Sequence, residues 1–359
     1  MRARIATFAL LLGAARLGAQ SAPAAVHAGV TYDTRHHRVT VVIGPYDVAP
    51  TGGSMEMPGM DMSMDDMGAM AQTFVWPEQG WFYGFHTELI DAGNKPMPRW
   101  LMHHFTLLNF DRRTLFDPYV ERLASARYNG EDVVAPKTIG APLTAGTRLG
   151  LYMMWFNDKP DTVRGVFVRL TLYYMPSNMQ PAPISALPVV MDVALIPGQA
   201  EMYDVPPGDH ERSRIFRFPI SGHLVGAGGH LHEQGAYVRL EDSVTGKVLV
   251  DLRPVLNAQG EMTGLTRRIL ALNGPGLRIL ANHPYRLVAA YHNTSRDTLH
   301  EAMGEMMGIF SPDDFAQWPA VDYADRAFLT DLATYGIRAI PDSLTAAAAA
   351  MRAKAVRSR

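Results

Sequence analysis

Short apolar-rich stretches, several of them alternating apolar with polar residues, recur along most of the chain. They run over Arg38–Ile43, Val163–Tyr174, Val189–Ile196, Ala236–Glu241, Lys247–Asp251 and Tyr285–Tyr291. Each is rich in β-branched or aromatic side chains, and a period of two puts alternate residues on opposite faces of a strand. Glycine and proline punctuate them, as in Asp242–Gly246 and Asn273–Gly276, where turns are favoured. Many short strands separated by turns predict an all-β chain of packed sandwiches.

The proline-rich stretch 176–188 reads as a linker, because proline removes a ladder donor and stiffens extended backbone. It divides the chain into a first jelly-roll β-sandwich domain, residues 25–178 with an insertion at 54–70, and a second, residues 189–325. A helical tail is expected over 326–359. There Asp342 or Ser343 can cap an alanine-rich run, and Arg352, Lys354, Arg357 and Arg359 suit the negative end of the helix dipole.

At the other end, Arg2 and Arg4 precede the apolar run 5–12 and then small residues, the layout of a secretory signal peptide over residues 1–20. That run falls short of the about 20 residues a membrane-spanning helix needs, so a secreted or periplasmic protein without a membrane span is expected. The 359-residue chain contains no cysteine, so an exported product must be held by burial, or in part by metal. A formal net charge of −2, with no basic block, points to no nucleic acid partner.

Methionine changes the picture, with 21 residues in the chain. Seven of them, Met55, Met57, Met60, Met62, Met64, Met67 and Met70, fall within 54–70 among Asp, Glu and Gly. They follow neither a strand nor a helix period, and the acidic residues between them are costly to bury. Thioether sulfur is a soft donor that prefers Cu(I), and a pliant chain can wrap several such groups around one ion. A disordered loop with incidental methionine bias, or an adaptable apolar contact surface, is the competing reading.

Histidine supplies the second signal. His103 and His104 are adjacent, and on a regular strand they would face opposite ways, so sharing one ion requires a bend. His230 and His232, following the glycine-rich run 226–229, are spaced to share one face of a strand that they would open. His223 is a candidate to orient one of them, as ligating imidazoles require. Met303, Met306 and Met307 follow, and any one of them would complete a soft site of two nitrogens and one sulfur; all three are equally eligible for core packing.

Taken in order, His-His, His-x-His and Glu-Met, these motifs resemble those of the copper type II, ascorbate-dependent monooxygenases, the peptidylglycine α-hydroxylating and dopamine β-monooxygenases, over residues 35–315. The resemblance implies two jelly rolls and two coppers. His103 and His104 would belong to an electron-transfer copper, and His230, His232 and Met306 to a catalytic one, with His223 matching a further family histidine. It implies Cu(I) that binds dioxygen, attack on a carbon–hydrogen bond of a small organic substrate, and a reductant such as ascorbate.

The chain departs from the family where a third histidine of the first site is expected, since Trp155 stands there; Met153 or Met154 is placed to offer sulfur instead. Gly228, Gly308 and Phe310 occupy the positions that match the peptide-carboxylate site, so peptide amidation is not expected. Two further readings stand beside the enzyme: a non-catalytic copper carrier or resistance protein, and a metal-free structural or carbohydrate-type sandwich.

Overall fold

The computed structural model describes residues 27–51, 71–127, 132–194 and 202–357. Residues 1–20 and 54–70, read above as signal peptide and methionine-rich insertion, lie outside these. Nine strands come first: β1 His27–Asp33, β2 Arg38–Val48, β3 Gln72–Val75, β4 Gly80–Ile90, β5 Met102–Arg113, β6 Val120–Arg127, β7 Ile139–Leu143, β8 Arg148–Trp155 and β9 Val163–Pro176. They form two sheets, ordered β1-β2-β9-β4-β7 and β3-β8-β5-β6. From β2 onward the first strand neighbours the last, and the second neighbours the next to last, which is the wrapping of a jelly roll. Alternation builds its core: Val39, Val41 and Ile43 of β2 face inward with Val166, Val168, Leu170 and Leu172 of β9 and with Phe105, Leu107, Leu149 and Leu151 of the facing sheet. Each such side chain contributes about 1.5–3 kcal/mol by burial.

The proline-rich stretch is not wholly linker, because β10, Ile184–Ser185, adds a parallel edge to β7. Then follow β11 Leu187–Asp192, β12 Tyr203–Val205, β13 Gly208–Arg217, β14 Gly222–Leu231, β15 Gly235–Asp242, β16 Val248–Leu252, β17 Pro254–Leu256, β18 Met262–Leu265, β19 Arg268–Ile269, β20 Leu277–Ile279, β21 Pro284–Asn293, β22 Leu299–Ala302 and β23 Gly304–Pro312. The orders β11-β23-β14-β19 and β13-β21-β15-β16 repeat the wrapping, so the protein is two tandem jelly rolls.

The two rolls also repeat a buried asparagine. Asn157, just past β8, donates its side-chain amide to the carbonyls of Val48 and Asp161, at 2.9 Å each, and accepts from the Lys159 amide at 3.0 Å. Asn293, at the end of β21, donates in the same way to Val205 and Asp297 at 2.9 Å, and accepts from the Ser295 amide at 3.0 Å. Between the rolls, Ile139 and Ala186 pack with Val225, and Phe116 stacks on Phe216 and Phe218 at 5.1 and 5.0 Å.

The C-terminal region holds two helices, α1 Arg326–Ala333 and α2 Asp342–Arg357, where a single one was expected. They return to the first roll. Phe328, Leu332, Tyr335, Leu344 and Ala348 cover Leu108, Phe110 and Tyr152 on the outer face of its β3-β8-β5-β6 sheet. Arg122 pairs with Asp331 at 2.6 Å and Arg352 with Asp111 at 3.3 Å. Gly146, at φ +83, is required for this docking, because a Cβ there would meet Arg352 Cγ at 2.4 Å and the Ala348 carbonyl at 2.6 Å.

Candidate metal sites

In the second roll the glycine run belongs to β14, so His230 stands near the end of a strand instead of opening one, and His232 lies just beyond it. Antiparallel pairing sets Gly228 against Met307, Gly229 against Met306, His230 against Glu305 and Leu231 against Gly304. Directly opposed residues share a face. His230 therefore shares the outer face with Glu305 and Met307, whereas Met306 points with Leu231 into the core and is 0% exposed. The resemblance gives Met306 the role of third ligand; the register turns it to the opposite side of the sheet from His230.

The ladder ends at Leu231 and Gly304, and in the step beyond it the main chains of His232 and Met303 meet. The Tyr291 hydroxyl holds that step, accepting from the His232 amide at 3.0 Å and the Met303 amide at 3.2 Å and donating to the Met303 carbonyl at 2.6 Å. Burial pushes the Tyr291 pKa up, so the phenol keeps the proton that it donates. The rings of His230 and His232 lie with centroids 4.9 Å apart and planes at 77°, and Nε2 of His232 is shut off from solvent. Two imidazoles and a thioether at one sheet corner are a donor set that fits Cu(I).

His223 does not adjoin this pair. It lies on the same strand, seven residues earlier, which is roughly 20 Å away along the backbone. Its Nδ1 is 3.9 Å from Asp313, whose carboxyl Arg278 holds below the usual range. It is out of reach as a hydrogen-bond partner for either ligand.

In the first roll, β5 carries a bulge. Met102 pairs with Trp155 and His104 with Met154, which leaves His103 as the extra residue. A bulge re-aims side chains, and here it turns both imidazoles the same way, with Nδ1 of His103 2.9 Å from Nδ1 of His104. This supplies the bend that adjacent histidines need to share one ion. Trp155 faces the other way, into the sandwich core, where its ring lies 4.9 Å from that of Tyr46. Met153 is likewise inward and 1% exposed, whereas Met154 is on the outer face, packed against the cluster that the C-terminal helices cover. His104 also lies 6.3 Å from Tyr152, ring to ring, and Tyr152 lies 5.2 Å from Tyr335.

Met55, Met57, Met60, Met62, Met64, Met67 and Met70 lie outside the described residues. The residues that flank them are described. Thr51 donates its amide to the Asn157 carbonyl at 2.9 Å, and Ala71 donates to the Tyr335 carbonyl at 3.0 Å. Both anchors are beside β8, close in sequence or packing to Met154. Among the described residues, no group of three or more His, Asp or Glu side chains is placed to hold a metal ion, so an ion at either histidine pair needs sulfur or an external ligand.

Comparison with known proteins gives no family model and no curated protein that matches this chain. Among solved structures, the chain is similar to the major capsid protein P2 from bacteriophage PM2, at 13% identity over 71% of this chain and 97% of that one, with a TM-score of 0.35. It is also similar to the infectious bursal disease virus VP2 subviral particle, at 12% identity over 68% of this chain and 60% of that one, with a TM-score of 0.21. These similarities carry no argument about what the chain binds. No helix among the described residues is long and apolar enough to cross a membrane.

Proposed function

We propose that this is an exported copper-binding protein that holds Cu(I) through His230 and His232 of the second roll, with Met303 as the thioether ligand. The observation that supports it is the placement of His230 and of the His232–Met303 step on one sheet corner, fixed by the Tyr291 hydroxyl. Two nitrogens and one sulfur favour Cu(I) over harder ions, which take oxygen ligands. Of the copper readings, binding and transfer of the ion fits better than catalysis, because neither Met306 nor Trp155 lies where the monooxygenase pattern needs a ligand. The test is anaerobic Cu(I) titration against a competing chelator: Met303→Leu lowers affinity and Met306→Leu leaves it unchanged. The reverse order would refute this ligand assignment.

The monooxygenase reading keeps support from the donor set itself, which leaves room for an external ligand on the outer face. On that reading the copper-loaded protein consumes dioxygen with ascorbate as reductant, and hydroxylates a small organic substrate. His232→Ala would abolish that uptake while the fold persists. Absence of uptake by the loaded wild-type protein leaves the carrier.

A further inference from the structure

We infer that the second roll binds a small monocarboxylate in the notch where the chain turns from β12 into β13, with the Arg212 guanidinium as the group that receives the carboxylate. This goes beyond the copper reading and does not depend on it. The turn makes the notch. Pro206 and Pro207 lead into Gly208, at φ +106, and the chain reverses without joining the two strands, because β12 pairs with β22 and β13 with β21. Both are edge strands, and beside them lies a cavity of about 320 Å³ lined by Tyr203, Asp204, Val205, His210, Glu211 and Arg212. Pockets that hold small molecules begin at roughly that size.

The charges around this notch do not cancel one another. Asp204 is held by His300 at 2.9 Å, and Glu211 accepts from the Tyr237 hydroxyl. Alternation along β13 sends Glu211 to the outer face, in one row with Ala290 and Tyr237, and Arg212 to the other side, opposite the buried Ala289. There the Arg212 guanidinium lies 4.6 Å from the centre of the Tyr203 ring. Among the described residues it has no carboxylate partner, whereas Arg214, the next residue on that face, reaches the Asp192 carbonyl. Burial pushes the Tyr203 pKa well above the ordinary phenol value, so the ring beside the guanidinium adds no negative charge. Stacking on a ring uses the face of a guanidinium and leaves the N–H fork on its edge, which takes a carboxylate in two parallel hydrogen bonds. Asp204 and Glu211 keep their charge at the rim and repel a second negative charge, which favours a monoanion over a phosphate dianion. The His210 imidazole and the Val205 side chain complete the lining for the rest of a small organic acid.

The test uses the full mature chain labelled with nitrogen-15 at arginine, and Arg212→Lys identifies the Arg212 Nε–H resonance by its disappearance. Acetate, exchanged for chloride at constant ionic strength, should move that resonance along a saturating curve. Saturation-transfer signal on the acetate methyl measures the affinity of both proteins. Arg212→Lys keeps the charge and loses the fork, so it should weaken acetate binding at least about tenfold, with a melting curve confirming that it is folded. Phosphate under the same conditions should bind wild type more weakly than acetate does, and should gain affinity in Asp204→Asn. Should Arg212→Lys fail to fold, a nuclear Overhauser contact between the acetate methyl and the His210 ring in wild type decides instead; its presence is expected and its absence overturns the site. A shift that grows without saturating, equal acetate affinity in wild type and Arg212→Lys, or phosphate bound more tightly than acetate by wild type also overturns it.

Discussion

Trp155 and Met306 occupy positions where side-chain direction outweighs residue type. Both stand where a copper monooxygenase pattern has a ligand or should have one, and both point into a sandwich core. Trp155→His therefore does not strengthen copper binding; it removes a large, partly buried ring from beside Tyr46 and lowers stability by about 1–3 kcal/mol. Paired thermal melts and Cu(I) titrations check it, and a gain in affinity would contradict the inward placement. The histidine pairs were legible in the sequence, because spacing and residue type are local. The choice among Met303, Met306 and Met307, and between Met153 and Met154, was not. It depends on which residue of one strand faces which of another, and a slip of one residue exchanges the two faces. The bulge at His103 has no signal in the sequence beyond the improbability of two adjacent imidazoles sharing a use.

Strands and their alternation were readable because burial on one face forces a period of two, and β2, β9, β15, β16 and β21 fall within a few residues of the expected runs. The destination of the C-terminal helices was not readable, since an alanine-rich segment carries no address. Gly146 marks that destination. Gly146→Ala strains a left-handed residue and pushes against the Ala348 carbonyl; we expect a cost of about 1–3 kcal/mol and faster hydrogen exchange in α2, while β2 and β9 keep their protection. The repeated Asn-x-x-x-Asp-Thr at 157–162 and 293–298 was visible in the sequence and its meaning was not, since only the folded rolls show the same side chain joining two carbonyls in each. Asn157→Ala and Asn293→Ala each leave one buried carbonyl, that of Val48 or of Val205, without its side-chain donor. Each should cost about 1–3 kcal/mol, and chemical denaturation of the two variants should give similar losses if the rolls are equivalent in this respect.

Across the whole molecule, two jelly rolls cemented by Phe116, Phe216, Phe218 and the Ile139–Val225 contact present histidine pairs on two different outer faces. The composition suits such a protein: with no cysteine, stability comes from two large apolar cores, and thioethers and imidazoles supply the soft donors. Thr51 and Ala71, which flank the methionine-rich stretch in sequence, are held to the Asn157 and Tyr335 carbonyls. A chain lacking residues 54–70 should keep the copper held by the histidine pairs, and copper counting on that variant checks this. The most direct measurement is copper stoichiometry by elemental analysis on the mature chain loaded with Cu(I), for wild type and for His230→Ala, His232→Ala. The account predicts that the double variant, still folded, loses one tightly held copper. Equal copper in both proteins, or none in wild type, would contradict it.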